Sequence, residues 1–146
     1  MRIRRIVAAV ITLVPFLAAG CGENSPPPGA KLGDPSPVRG KVTLPGGTQL
    51  RGGVVTFHAV EREVGGKLRY DGGALVEASG EYKAGFNGDG KGLVPGEYVV
   101  TVAPREVGEL PGNNTAQIPK VYQDKSTSTI RVTVTEGDNT LNIAMK

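Results

Sequence analysis

From Val38 to the C-terminus, apolar and polar residues alternate in short runs, each closed by turn-forming residues. Val38, Gly40, Val42 and Leu44 alternate with Arg39, Lys41 and Thr43 ahead of Pro45-Gly46-Gly47. In the run Val54 to Val60, Val55, Phe57 and Ala59 share one face, while Val54, Thr56, His58 and Val60 share the other. The same alternation marks Ala74, Val76 and Ala78, then Tyr82, Ala84 and Phe86, then Tyr98, Val100 and Val102. Ile130, Val132 and Val134 carry a sixth run, and Leu141, Ile143 and Met145 a seventh after Glu136-Gly137-Asp138-Asn139. A period of two sends alternate side chains to opposite faces of a strand, and no stretch here sustains helical spacing. The pattern predicts an all-β domain over 38–146, a seven-stranded antiparallel Greek-key sandwich. Its expected core is Val42, Val55, Phe57, Tyr82, Phe86, Val100, Val132, Leu141 and Ile143.

Two intervals break the spacing, Glu61 to Gly73 and Pro104 to Thr129. Connections this long in a small domain are usually functional or hold short structure of their own. Within the longer one, Ile118-Pro119-Lys120-Val121-Tyr122 is apolar enough to pack on the domain, and its flanks are polar. Loops held by a rigid sheet are the natural place for contacts. The candidate binding residues are therefore Asn113, Asn114, Lys120 and Tyr122.

The first residues follow another rule. Arg2, Arg4 and Arg5 precede an apolar run from Ile6 to Ala19, and small residues lead to Cys21, the only cysteine of the 146 residues. The run is shorter than the roughly 20 residues that cross a bilayer, and Pro15 interrupts it. Residues 1–20 read as a signal peptide for Sec export. Leu17-Ala18-Ala19-Gly20-Cys21 resembles the bacterial lipobox, which implies cleavage between Gly20 and Cys21 and lipid attachment to Cys21. Acyl chains contribute about 0.8 kcal/mol per buried methylene, so two or three of them anchor a protein without a spanning helix. Gly22 stands where an aspartate would signal inner-membrane retention in proteobacterial sorting, which favours the outer membrane.

Residues 21–37 comprise the lipidated cysteine and a linker carrying Pro26, Pro27, Pro28, Pro35 and Pro37. Such a composition predicts a disordered tether, able at about 3.1 Å per residue to lift the domain by up to about 50 Å. Charge changes the picture little. The chain holds 17 basic and 14 acidic residues, and Arg2, Arg4 and Arg5 account for the net charge of +3. The processed chain is near neutral, which argues against nucleic acid as a partner. The partners expected are the membrane, through the lipid, and an envelope protein or polysaccharide. With no cysteine beyond Cys21, stability rests on burial in one core, without disulfides.

Several segments, in order, resemble the small lipoproteins of planctomycetes that carry a transthyretin-like, or carboxypeptidase-regulatory-like, domain. They are Val38-Arg39-Gly40-Lys41-Val42-Thr43-Leu44, Gly53-Val54-Val55-Thr56-Phe57, Gly80-Glu81-Tyr82, Leu93 to Val102 and Ile118-Pro119-Lys120-Val121-Tyr122. The resemblance implies a prealbumin-like sandwich of seven strands with no known catalytic role. Leu93-x-Pro95-Gly96-x-Tyr98 is also similar to the tyrosine corner of fibronectin-type sandwiches. Pro95 and Gly96 suit a type II turn, and Tyr98 is expected to pack inward with its hydroxyl on backbone.

Candidate chemistry is sparse. His58 is the only histidine, so neither a paired-histidine metal site nor a Ser-His-Asp arrangement with a second base is predicted around it. It reads as a half-exposed sheet residue. The 5-hydroxyisourate hydrolases, which share the transthyretin fold, use several histidines and end in Tyr-Arg-Gly-Ser, whereas this chain ends Leu141-Asn142-Ile143-Ala144-Met145-Lys146. Asn87-Gly88-Asp89-Gly90-Lys91-Gly92 lacks the third oxygen ligand and the closing glutamate of a calcium loop, and no Gly-Lys-Ser/Thr follows for phosphate. No cofactor, metal or catalytic residue is expected. Lys67-Leu68-Arg69-Tyr70 reads as a solvated connection or short edge strand that could touch carbohydrate or an acidic polymer.

Overall fold

The computed structural model describes residues 31–146, and these form an all-β domain. The signal segment 1–20, Cys21 and the linker as far as residue 30 lie outside the described residues. Among the described residues there are eleven strands: β1 (Lys31–Leu32), β2 (Val38–Thr43), β3 (Val54–Ala59), β4 (Glu63–Val64), β5 (Lys67–Leu68), β6 (Gly72–Leu75), β7 (Glu81–Ala84), β8 (Gly96–Ala103), β9 (Arg131–Val134), β10 (Asn139–Thr140) and β11 (Ile143–Ala144). The helical pieces among the described residues are short 3₁₀ turns at Phe86–Gly88, Thr115–Gln117 and Lys120–Tyr122.

One sheet has the order β6-β3-β8-β9 and is antiparallel throughout. β3 shows why it forms: Val55, Phe57 and Ala59 are buried, while Val54, Thr56 and His58 are only partly covered. A second sheet is built on β2, which pairs antiparallel with β7 and parallel with β10 and then β11. The parallel pairing of the first long strand with the C-terminal strands departs from the all-antiparallel expectation. Period-two alternation is the same in both arrangements, so direction is not encoded in it.

Phe57 of the first sheet meets Tyr82 of the second at 5.8 Å between ring centroids, and Tyr98 at 6.4 Å in an edge-on arrangement. The inward residues of both sheets thus share one core, with Val42, Leu44, Leu50, Val100, Val102, Val134 and Ile143 fully or almost fully enclosed. The sheets also touch at one edge, where Gly73 and Gly85 exchange backbone hydrogen bonds of 2.9 and 3.0 Å.

Tyr98 behaves as its motif predicts. It is buried, and its hydroxyl donates to the Val94 carbonyl at 2.6 Å. Burial pushes that phenol up to about 12, with Arg69 pulling it down and Asp71 adding to the rise. Gly96 has φ 152°, positive but well beyond the roughly +80° of a type II turn, so the strand is launched by a more open turn.

Two expectations need correction. Phe86 is 46 % exposed and lies outside the core, because the chain leaves β7 at Gly85 and enters a 3₁₀ turn in which Asn87 has φ 54°. Its ring packs on Tyr70 instead, at 5.4 Å. Part of the expected tether is paired ahead of Val38, since β1 runs parallel to β5 and Ser36 exchanges backbone bonds with Leu93. The Glu61 to Gly73 interval, by contrast, holds short structure of its own, one of the two outcomes expected of it: the β4–β5 hairpin, closed by Gly65 and Gly66 at φ 60° and 73°. Two successive positive φ values are the mark of a type I′ turn, which favours glycine at both places.

Candidate functional site

The alternation of β3 that sends Phe57 inward sends His58 to the outer face of the antiparallel sheet. There both ring nitrogens are engaged. Nδ1 lies 3.0 Å from Asp71 Oδ2, and Nε2 lies 3.1 Å from Thr101 Oγ1. Thr101 is on β8, diagonal to His58 across the β3–β8 register. Asp71 comes from the residue before β6. Its other oxygen, Oδ1, accepts the Ala59 amide at 3.0 Å, so the carboxylate continues the ladder of β3 at the point where β6 begins. The Arg62 guanidinium stands 3.8 Å away.

An ionised carboxylate can only accept, so Asp71 makes Nδ1 the donor and leaves Nε2 facing the hydroxyl. Thr101 satisfies either state of that nitrogen, donating to it when neutral and accepting from it when protonated. Burial raises the Asp71 carboxyl, but the hydrogen bonds from His58 and Ala59 and the charges of His58 and Arg62 outweigh it and hold the group below its ordinary value. Asp124 is held low chiefly by the Ser126 hydroxyl and amide, opposed by slight desolvation, and it also feels the His58 charge.

Hydroxyl, imidazole and carboxylate in line are the parts of an acid–base relay. Acyl transfer also needs donors converging on the developing oxyanion. Strand amides lie in the plane of the sheet and aim at neighbouring strands, away from the face that carries Thr101 Oγ1. Thr101 is itself only 6 % exposed. The array is built to tie β3, β8 and the entry to β6 together. A lone histidine was legible, but the partners that complete it are brought in from distant segments. Among the described residues no group of three or more histidine, cysteine or acidic side chains is arranged to hold a metal.

A pH dependence follows from Asp71. Its folded-state pKa lies below that of the unfolded chain, so its contribution is complete above the unfolded carboxylate range, about 3.9, and is lost as pH falls through the lower folded value. Urea midpoints between about pH 6 and pH 2 are expected to fall less steeply in Asp71→Asn than in the parent. Identical acid limbs in the two proteins would contradict the assignment.

The candidate residues of the long connection are mostly occupied. Asn113 Oδ1 accepts from the Thr115 hydroxyl at 2.8 Å, and its amide donates to Leu110 O. Asn114 clamps a neighbouring segment, accepting the Arg51 amide at 2.7 Å and donating to Gln49 O at 3.0 Å. Tyr122 is buried, with its hydroxyl between the backbone N–H and C=O of Lys146. Lys120 is exposed on the last 3₁₀ turn. Ile118 and Tyr122 join the core, so Ile118 to Tyr122 packs back on the domain as expected.

Sequence reading missed an apolar cleft of about 220 Å³ lined by Leu32, Pro35, Tyr70, Phe86, Leu93 and Val94. Its only early signal was Tyr70 beside two cations. Comparison with protein-family models, curated proteins and solved structures finds no match to this chain. Among the described residues no helix is long and apolar enough to cross a membrane.

Proposed function

We propose that this chain is a lipid-anchored protein of a bacterial cell envelope, favoured on the outer membrane, whose β domain serves a binding or structural role without catalysis. The observation that carries the reading is the position of Cys21, the only cysteine, directly after a basic and then apolar leader too short to span a bilayer. The finer fold assignment belongs with it. Two sheets sharing one aromatic-centred core, with seven strands when the short β10 and β11 that pair in succession with β2 are taken as one, support a seven-stranded Greek-key sandwich of the prealbumin type, and the segments quoted above, in their order, support kinship with the small planctomycete lipoproteins.

In cells making the full chain, Cys21→Ala is expected to move the protein from the membrane fraction to the soluble fraction, with its thermal transition retained. Undiminished membrane association of the folded variant would rule out lipid anchoring. A second reading, a small-molecule hydrolase, is favoured by the Asp71–His58–Thr101 array alone. Turnover of an ester panel that disappears in both His58→Ala and Thr101→Val would establish it, and no turnover by the parent would dismiss it.

A further inference from the structure

On the outer face of the second sheet, Arg39 of β2 and Lys83 of β7 are direct cross-strand partners. Like charges placed opposite one another in a sheet are destabilising. Among the described residues, neither forms an ion pair. The next pair on this face of the same two strands is the opposite case, with Lys41 facing Glu81 at 3.4 Å between charged atoms. One end of the face is thus neutralised and the other holds two uncompensated cations.

These side chains line a groove of about 410 Å³ with Thr140 of β10 and Asn142 between β10 and β11, and Glu77 also borders it. Thr140 is the register partner of Arg39 on the opposite side of β2. Asn142 accepts the Lys41 amide through Oδ1 at 3.1 Å, which leaves its NH₂ as a donor. The cationic end therefore presents a guanidinium and an ammonium beside a hydroxyl, and a carboxamide lies further along the groove.

We infer that this groove binds an acidic polysaccharide, with a carboxylate or sulfate group seated between Arg39 and Lys83 and sugar hydroxyls on Thr140, Asn142 and Glu77. Arg39 suits an oxyanion because its planar fork donates two parallel hydrogen bonds, and Lys83 adds a point charge. The remainder of the groove carries both donors and acceptors, which match a polyhydroxylated chain. A bare anionic membrane is a poorer fit, since the face is concave and the Lys41–Glu81 pair and Glu77 limit its positive excess. Nucleic acid is a poorer fit too, because Tyr82, the aromatic residue bordering the groove, is buried and offers no ring for base stacking.

This inference rests on the proposed binding role, but its test is independent of the anchor. The full chain in detergent is titrated with polygalacturonate, dextran sulfate, neutral dextran, anionic lipid vesicles and single-stranded DNA at low and high salt. The expected result is binding to one or both acidic glycans, weakened by salt and by about tenfold in each of Arg39→Gln and Lys83→Gln. The two glycans separate carboxylate from sulfate as the anion recognised. Neither variant is expected to lose thermal stability, because each relieves the like-charge pair. The inference is overturned by unchanged glycan affinity in both variants, by equal binding of neutral dextran, by preference for vesicles or DNA, or by no binding at all. Fractionation of Cys21→Ala reports on the anchor whatever the glycan result.

Discussion

Phe57→Ala is expected to cost about 3–5 kcal/mol of folding stability, the range for truncating a fully buried aromatic residue. Phe57 has no exposed surface, and its ring touches Tyr82 across the sheets as well as Tyr98 on its own sheet. Removing it opens a void where three aromatic rings meet, and those rings come from strands that cannot close in without shifting whole sheets. Domains of this kind are stable by only about 5–15 kcal/mol, so the variant is expected to be partly unfolded on warming. Urea denaturation followed by circular dichroism measures the loss. A cost under about 1 kcal/mol would show that Phe57 is not at the centre of the core.

Gly40→Val is expected to be the second most damaging change, costing at least the about 1–3 kcal/mol typical of overpacking. Gly40 faces inward on β2, where the chain between β10 and β11 crosses it. A Cβ at this position would fall 2.0 Å from the Leu141 carbonyl oxygen and 3.1 Å from the Tyr82 ring. The same carbonyl accepts the Tyr82 hydroxyl, whose buried phenol is pushed well above its ordinary value by desolvation. Relief requires displacing backbone, so the C-terminal strands should loosen before the antiparallel sheet does. Hydrogen exchange is expected to accelerate at the Leu141 and Met145 amides, which pair with Arg39 and Thr43, while β3 and β8 stay protected. Uniform acceleration across both sheets would contradict this.

The strand at Val54–Ala59 was legible because it alternates cleanly, and alternation is a property of adjacent residues; Gly96–Ala103 was legible from Tyr98, Val100 and Val102, although Val99 and Thr101 between them are buried as well. The Tyr98 corner was legible for the same reason, since its partner Val94 lies only four residues away. Phe86 was misplaced because the alternation of Tyr82 and Ala84 gives no sign that the backbone turns off at Gly85. The β4–β5 hairpin had a readable signal in Gly65-Gly66, but its strands are too short to show a period. In the long connection, Asn113 and Asn114 looked available because polar residues in a loop carry no mark of the backbone groups they will satisfy.

The chemistry shows the same division. That a single histidine would sit on the outer face of a strand follows from its place next to Phe57. That it would bridge Asp71 and Thr101 depends on strand register across 13 and 43 residues. Arg39 and Lys83 are ordinary charged residues along the chain, and they become an opposed pair only when β2 meets β7.

Local order therefore settles what adjacent residues can settle: an all-β domain, its strongest strands and most of their inward faces. Long-range pairing settles the rest: the parallel C-terminal strands, the exposure of Phe86, the pairing of Lys31–Leu32 with β5, the bridged histidine and the groove beside Arg39 and Lys83. The physical reason is that a period of two specifies the face of each side chain but not the neighbouring strand, its direction or its register. Those are chosen by a shared core that forms only when both sheets close around Phe57.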